Sequence, residues 1–310
     1  MKNNKEKCLV CESPEYSIRY TGNIKAGEKI PPDSAMFVRK KILRPDIAEC
    51  KNCGFAWSFY DYDKSLLKEM YESMVFDENF FVQYEYERVV NAGNIYKHTI
   101  QKSFQNNFHG SVFDIGAFTG HLLNIMKKDG WRVSGLEPCK AAVDYAERKF
   151  GIHLKNLFMS DNILEIQNET DCKYDLLTGF DVIEHLINPE IIFKIGDSLL
   201  NENGVLILSM PDYSSFQRKL SGKNFNLFLI EHLWYFSPES IRLFSKKYGY
   251  KIVSIVPLVS RHTLKTIISR LSQYSFLRRL EFFNFKLFEK IILKIKRGDM
   301  ITIIKKNSGN

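Results

Sequence analysis

The stretch Val112-Phe-Asp-Ile-Gly-Ala-Phe-Thr-Gly-His-Leu-Leu123 decides the fold class of this 310-residue chain. It begins with apolar residues that are typical of a buried strand, and an apolar helix pattern starts at His121. Between them, Asp114, Gly116 and Gly120 mark a turn. Glycines let the backbone pass close to a ligand, and the free N–H groups of the following helix can bind a carboxylate. We therefore predict a ligand-binding turn between a strand and a helix.

The spacing of this turn differs from that of the dinucleotide fingerprint. Gly-x-Gly-x-x-Gly admits a pyrophosphate, whereas here three residues separate the glycines and an aspartate lies two positions ahead of the first. A carboxylate beside the pocket repels a pyrophosphate but accepts a hydrogen bond from an ammonium group. We therefore expect a ligand that carries both an amine and a carboxylate.

A strand-and-helix alternation extends outward from this turn nearly to the end of the chain. Strands are predicted at residues 111–115, 132–136, 175–179, 205–210, 251–256 and 299–304, and helices at residues 121–128, 140–150, 189–200 and 238–248. Such alternation is the signature of an α/β fold with a doubly wound parallel sheet. Ligands bind beyond the carboxyl ends of the strands in these sheets, so the residues just after each strand are the candidates for function.

The second predicted strand is followed by Glu137, 21 residues after Gly116. At this distance a carboxylate can take both hydroxyls of a ribose, although a solvated turn residue is the alternative. The turn, helix, strand and glutamate together predict a pocket for an amino acid joined to a nucleoside.

Five motifs in family order resemble the class I S-adenosylmethionine-dependent methyltransferases over residues 111–306. The matching stretches are the opening one, Val133-Ser-Gly-Leu-Glu-Pro138, Tyr174-Asp-Leu-Leu-Thr-Gly-Phe-Asp-Val-Ile-Glu-His-Leu186, Gly204-Val-Leu-Ile-Leu-Ser-Met-Pro211 and His232-Leu-Trp-Tyr-Phe-Ser-Pro238. The resemblance implies a Rossmann-like methyltransferase sheet that uses S-adenosylmethionine as the methyl donor.

The resemblance also assigns residues to parts of this cofactor. Asp114, Gly116 and Gly120 are implied to surround its methionine part, and Glu137 its ribose. Residues around Phe180 are implied to lie on its open side, and Asp161 is the nearest acidic candidate for adenine recognition. The pattern departs from the family at Phe118, where many members have glycine.

Histidine titrates near neutral pH, so histidines near the predicted pocket are candidates for a catalytic base. His185 follows the strand at residues 175–179, and the pair Glu231-His232 precedes the last matching motif. A cap or an orienting role is the alternative for either histidine. The C-methyltransferases that build branched nucleotide sugars are similar in carrying a Glu-His pair here and an N-terminal module of paired cysteines, although Leu229 stands where they tend to have tyrosine.

Four of the six cysteines form two matched pairs, Cys8-x-x-Cys11 and Cys50-x-x-Cys53. Two such pairs in a chain without a secretory signal predict a tetrahedral zinc site, because a two-residue gap lets one tight turn present both sulfurs. Four thiolates leave no open position on the metal, so this zinc would be structural. Ordinary buried cysteines are the alternative.

The charge balance separates the last 50 residues from the rest of the chain. The net charge is +8, yet residues 261–310 alone hold 12 Lys and Arg against 3 Asp and Glu. With no apolar stretch near the length of a membrane span, we expect a cytoplasmic protein. Residues 261–297 suggest a basic amphipathic helical pair, which would contact a membrane surface, pack over the substrate site or pack against a dimer partner.

We divide the chain into a zinc-binding module (residues 1–60), a helical connecting segment (61–110) and a methyltransferase domain (111–310) with a helical insertion at 261–298. The predicted function is C- or O-methyl transfer to a sugar, either a nucleotide sugar or a glycan, in surface-polysaccharide or related carbohydrate biosynthesis. One alternative is an RNA methyltransferase with a zinc module, which the absence of an Asn-Pro-Pro-Tyr motif argues against. The other is a non-catalytic protein that binds S-adenosylmethionine.

Overall fold

The computed structural model of the chain describes residues 7–29, 43–62, 65, 67–68, 85–104, 108–159, 172–264, 268 and 291–307. The strands in these ranges are β1 (Tyr16–Tyr20), β2 (Asp46–Cys50), β3 (Ala56–Phe59), β4 (Ser111–Ile115), β5 (Arg132–Glu137), β6 (Lys155–Asn156), β7 (Tyr174–Phe180), β8 (Leu200–Pro211), β9 (Trp234–Tyr235), β10 (Tyr250–Thr263) and β11 (Ile292–Lys306). The α-helices there are α1 (Glu85–Ile95), α2 (Gln101–Ser103), α3 (His121–Lys128), α4 (Lys140–Phe150), α5 (Ile191–Leu199), α6 (Phe216–Ser221) and α7 (Pro238–Lys247). Tyr96–Ile100 forms a π-helical turn, and Ile183–His185 and Gly222–Asn224 form 3-10 turns.

The main sheet has the strand order β10-β11-β8-β7-β4-β5-β6. Its strands from β8 to β6 are parallel, as the alternation of strands and helices predicts, and α3 and α4 have the predicted bounds. The expectation of a wholly parallel sheet is wrong at β11, which pairs antiparallel with both β8 and β10. The reason is that β10 and β11 form an antiparallel pair. Strand β11 lies between β10 and β8, so it runs antiparallel to both of them.

Apolar side chains cover both faces of the main sheet. Val112 of β4 belongs to a core cluster that includes Leu123 and Met126 of α3. Its neighbour Phe113 belongs to a second cluster, which includes the apolar residues of α5 and α7. Successive residues of a strand point to opposite faces, so a central strand with helices on both sides must be apolar at every position but those with a special role.

A second, smaller sheet has the order β1-β2-β3-β9 and is antiparallel throughout. Its last strand comes from the C-terminal half of the chain: Trp57 of β3 pairs with Trp234 of β9. The Phe55 ring centroid lies 5.0 Å from that of Phe236. The N-terminal residues and the segment around Trp234 therefore share one sheet and one apolar core.

The ends of the predicted helical insertion are strands. Residues 259–263 of β10 pair with residues 292–296 of β11, and this ladder continues beyond the point where β8 ends, at the pair Pro211 and Asp299. We call residues 259–263 and 292–298 the arm. The strand signal there is the alternation of apolar residues with Lys294 and Lys296, which has period two rather than the helical period. Most of the predicted insertion, residues 265–267 and 269–290, lies outside the described residues, as do Asp161 and its neighbours.

Helix α1 lies against the arm. The Asn91 side-chain amide donates to the Arg261 carbonyl (3.0 Å) and accepts from the Arg261 N–H (2.7 Å), as a neighbouring strand would. The buried Glu87 carboxylate lies 3.0 Å from His262 Nδ1 and accepts the Thr263 N–H at 3.1 Å. These bonds join α1 to the arm at the end of the sheet where the parallel strands have their carboxyl ends. No helix among the described residues is long and apolar enough to cross a membrane.

Candidate active site at the carboxyl edge of the main sheet

The glycine turn between β4 and α3 folds as a tight, left-handed backbone. Gly116 has φ +73° and Gly120 has φ +70°, values that favour glycine. A Cβ at Gly116 would lie 2.7 Å from the Val182 side chain, so no larger residue fits there without displacing that neighbour. The N–H groups of Gly116 and Ala117 donate to the Leu136 carbonyl at 2.9 and 3.0 Å. The turn is therefore fixed against the end of β5.

Glu137, the last residue of β5, belongs to the same hydrogen-bond network as the glycine turn. Its carboxylate is 5% exposed and accepts the N–H of Phe118 at 2.9 Å on one oxygen and the N–H of Cys139 at 2.8 Å on the other. Burial, together with the nearby Asp114 charge, raises the pKa of Glu137 to about 7. Each carboxylate oxygen can accept a further hydrogen bond. The residue therefore fits the two hydroxyls of a ribose.

Asp114 lies beside it at the end of β4. The carboxylate is buried and accepts the Thr178 hydroxyl at 2.6 Å, and burial raises the pKa of Asp114 to about 6. Within the described part of the chain no cationic side chain contributes to this shift, so the buried carboxylate fits a ligand that brings its own positive charge. Phe180 is half-buried at the end of β7, at the same edge of the sheet. The structure therefore brings together the predicted Asp114, Gly116, Gly120, Glu137 and Phe180.

Phe118, which stands where many family members have glycine, packs against Arg88. Phe118 adopts φ +46°, a conformation that L side chains rarely take, and the Arg88 guanidinium lies 5.1 Å from its ring centroid. Arg88 belongs to α1, so this contact holds α1 over the glycine turn. Sequence reasoning missed Arg88, which lies outside the matching stretches, and Thr178, which lies within the Tyr174–Leu186 stretch but was not selected there.

A cluster of titratable side chains lies at the adjacent part of the edge, beyond β7. Ligand atoms of Glu184, His185 and His232 all lie within 4.8 Å of one another. The rings of His185 and His232 meet edge to face with centroids 4.6 Å apart. The structure thus places the two predicted histidines next to each other. It adds Glu184, which the sequence analysis did not select as a candidate. We call Glu184, His185, Glu231 and His232 the acceptor cluster.

Backbone contacts fix the orientation of His185. Its Nδ1 lies 2.8 Å from the Glu231 carbonyl, which can only accept, so Nδ1 carries the proton and the neutral ring has its lone pair on Nε2. The Leu233 N–H donates to the Glu184 carbonyl at 2.7 Å. These two bonds tie the turn after β7 to the segment before β9.

Two carboxylates in the acceptor cluster are almost completely removed from water. Glu184 and Glu231 are each 1% exposed. Burial, reinforced by the charges of Asp181 and Asp299, raises the pKa of Glu184 well above its ordinary value. Ligand atoms of Glu184 lie within 4.8 Å of those of both histidines, so an imidazolium that forms there would favour the ionised form of this carboxyl.

The turn after β7 connects the two parts of the edge. The Val182 side chain packs against Gly116, where a Cβ would be placed. Glu184 and His185 follow Val182 within the same short turn. The preceding residue, Asp181, adopts φ +55° and accepts the Ser209 hydroxyl at 2.7 Å. The glycine turn and the acceptor cluster are therefore neighbours in one site.

The four paired cysteines form a separate cluster on the small sheet. The Sγ atoms of Cys8 and Cys53 are 3.5 Å apart, and those of Cys11 and Cys50 are 3.6 Å apart. Four sulfurs at about 2.3 Å from a zinc ion are about 3.8 Å from one another, so this arrangement fits a tetrahedral metal. The side-chain amide of Asn52 donates to Cys11 Sγ at 3.5 Å, a neighbour that suits a thiolate.

Comparison with known proteins gives a family and several relatives. A family model described as "Methyltransferase domain" matches residues 88–255. A ubiquinone biosynthesis O-methyltransferase of Actinobacillus pleuropneumoniae is 30% identical over 118 residues, which is 36% of this chain and 49% of that protein. The protein of the same name from Pasteurella multocida is 27% identical over 108 residues, or 32% of this chain and 45% of that protein. The chain spans about half the length of these curated relatives.

Among solved structures, a SAM-dependent methyltransferase from Archaeoglobus fulgidus aligns with a TM-score of 0.48 and 16% identity, covering 74% of this chain and 100% of that one.

Proposed function

The chain belongs to the methyltransferase domain family, and from that premise we propose that it transfers a methyl group from S-adenosylmethionine to an oxygen or carbon atom of an acceptor. The observation that carries this proposal is the meeting of the glycine turn and Glu137 with a pair of contacting histidines at one edge of the sheet. When bound, S-adenosylmethionine supplies an electrophilic methyl group on a sulfonium.

The cofactor half of the site, Asp114, Gly116, Gly120 and Glu137, binds and orients this donor. Glu137 would accept hydrogen bonds from the two ribose hydroxyls, and the Asp114 carboxylate would pair with the ammonium of the methionine part. The glycines keep the backbone free of side chains where the ligand passes. Methyl transfer needs an in-line approach of acceptor and methyl carbon, so this half contributes mainly positioning.

The acceptor cluster contributes a base. An acceptor hydroxyl, or a carbon beside a carbonyl, must lose a proton as it attacks, and a neutral histidine accepts one near pH 7. We assign this role to His232. His185, whose Nε2 carries the lone pair and whose Nδ1 is held by the Glu231 carbonyl, orients His232 or relays its proton. A carboxyl oxygen of Glu184, within 4.8 Å of a nitrogen of each ring, is placed to accept a hydrogen bond from the imidazolium that forms.

The acceptor we propose is a sugar, either free as a nucleotide sugar or within a glycan. The Glu231-His232 pair and the cysteine module support this class through their resemblance to sugar C-methyltransferases. The relatives are named for O-methylation, which requires the same base. The cysteine cluster is proposed to hold one zinc ion with a purely structural role, since four thiolates fill its coordination sphere.

The test is transfer of tritium from methyl-labelled S-adenosylmethionine into nucleotide sugars, lipid-linked glycan extract and total RNA, measured in parallel. We expect label in a sugar fraction. In His232→Ala and in the more conservative His232→Gln, the rate should fall by about 10² to 10⁴, while binding of S-adenosylmethionine stays unchanged. Label confined to RNA would overturn the sugar assignment, and an unaltered rate in both variants would remove His232 as the base.

A further inference from the structure

Helix α6 presents an apolar pair to solvent. Phe216 is 79% exposed and Leu220 is 76% exposed, and their spacing of four residues puts them on the same side of the helix. The exposed Lys219 and Lys223 flank them. We call these four residues the α6 patch.

Contacts of Arg218 and of Asp212 hold helix α6 in place. The Arg218 guanidinium lies 4.2 Å from the Tyr213 ring centroid and donates to the Tyr20 hydroxyl at 3.2 Å. Asp212, just after β8, donates its N–H to the Gly298 carbonyl of the arm at 2.7 Å. The helix is thus fixed between the small sheet and the arm, so its apolar pair cannot turn inward.

The charge around the patch has one sign. Residues 213–230 contain Arg218, Lys219 and Lys223 and no acidic residue. The arm beside α6 adds the exposed Lys294 and Lys296. Exposed apolar side chains within a ring of lysines complement a surface that is apolar inside and negatively charged outside, which describes a bilayer with anionic headgroups.

We infer that the α6 patch docks the protein on an anionic lipid surface. The apolar pair lies outside the predicted helical insertion at 261–297, whose described ends are strands and which contributes only Lys294 and Lys296 of the arm. Helix α6 starts five residues after β8 ends at the carboxyl edge of the main sheet, and Glu231 follows its last residue by ten positions. A docked molecule brings the acceptor cluster close to the bilayer, where a lipid-linked acceptor resides; this consequence rests on the proposed function, whereas the docking does not.

The test is co-sedimentation of the full-length protein with vesicles of phosphatidylglycerol or of phosphatidylcholine alone, without S-adenosylmethionine. We expect binding to the anionic vesicles at about 0.1 M salt and a loss of most of it at about 1 M salt. The double variant Phe216→Ser/Leu220→Ser should bind at least about tenfold more weakly, because the apolar contacts are gone. Lys219→Gln/Lys223→Gln should weaken binding to the anionic vesicles and reduce its dependence on salt, while Arg218, Lys294 and Lys296 remain.

Val253→Ser is the matched control. Val253 is 56% exposed on β10, near the end of the sheet opposite the acceptor cluster, and its replacement should leave binding unchanged. The inference is overturned if the wild type does not bind anionic vesicles, or if the α6 variants bind as tightly as Val253→Ser. It is also overturned if the patch instead joins two copies of the chain, which light scattering would reveal as a dimer that Phe216→Ser/Leu220→Ser converts to a monomer.

Discussion

The cofactor half and the acceptor cluster lie at the same edge of the sheet but are assembled in different ways. In the cofactor half, the decisive contact joins Phe118 to Glu137, 19 positions away, and both residues belong to one strand–helix–strand unit. In the acceptor cluster, the contact between His185 and Glu231 spans 46 positions. The segment that carries Glu231 and His232 leads into β9, and β9 is part of the small sheet.

This difference indicates what each half depends on. Backbone hydrogen bonds within a local unit hold the glycine turn, so it should form without help from the N-terminal residues. The position of His232 depends on the pairing of β9 with β3. Cys50 is the last residue of β2, and Cys53 lies in the turn between β2 and β3. Damage to the cysteine cluster should therefore reach the acceptor cluster before it reaches the cofactor half.

Among the variants that compare the two halves, the largest effect should come from a change in the cofactor half. Glu137→Ala removes the acceptor of both ribose hydroxyls and the carboxylate to which the N–H groups of Phe118 and Cys139 donate. Hydrogen bonds to a charged group contribute about 1.5–3 kcal/mol each, so we expect the dissociation constant for S-adenosylmethionine to rise about 100-fold or more by calorimetry. Zinc content should stay constant. Normal binding by this variant would mean that the cofactor site has been wrongly located.

A smaller effect should come from the cysteine side. In Cys50→Ser we expect zinc to be lost and methyl transfer to fall about tenfold, because β3 and β9 no longer hold His232 firmly. The dissociation constant for S-adenosylmethionine should change by less than about threefold in the same sample. Metal analysis, calorimetry and the tritium assay together give the three values.

The control for this variant is Cys172→Ser, since Cys172 is exposed and lies outside the cluster. It should retain full zinc and full transfer. If Cys50→Ser keeps its zinc, Cys50 is not a ligand. If it loses zinc but weakens cofactor binding as much as transfer, the two halves are not independent and the comparison drawn above fails.

The smallest effect concerns pH and acts on the cofactor half. With a pKa of about 7, Glu137 is largely ionised at pH 8 and mostly protonated at pH 6.5, and a protonated carboxyl loses an acceptor and its charge. Affinity for S-adenosylmethionine should therefore fall about fourfold between these pH values, and the fall should steepen as Asp114 titrates near 6.

Stability of the ligand-free protein should respond in the opposite direction. A carboxyl whose pKa is raised by folding binds its proton more tightly in the folded state. The contribution of Glu137 to stability is therefore complete below its ordinary pKa of 4.5 and is lost as pH rises through about 7. As the pH rises across this range, the melting temperature of the ligand-free protein should fall. The increase in melting temperature that the ligand adds should grow. Affinity that does not vary with pH would argue that Glu137 stays ionised throughout.

Much of the architecture could be predicted from local patterns. The bounds of α3 and α4, the glycine turn and the glutamate after β5 follow from periodicity and from turn chemistry, which act over a few residues. The arm was mispredicted as helical because apolar residues near 291–296 suit either period when read alone. Pairing with β10, which is set by the rest of the sheet, decided in favour of a strand.

The sequence by itself determined the fold class, the positions of the glycine turn and of Glu137 at the end of β5, and the grouping of the four cysteines into one cluster. Each of these depends on short spacings or on residue types with few structural uses. The meeting of His185 with His232, the buried Glu184 beside them and the contact of Arg88 with Phe118 were decided only by the tertiary structure. The physical reason is that these contacts join segments distant in sequence. Their geometry depends on how the two sheets and α1 pack against one another, and no local propensity records that.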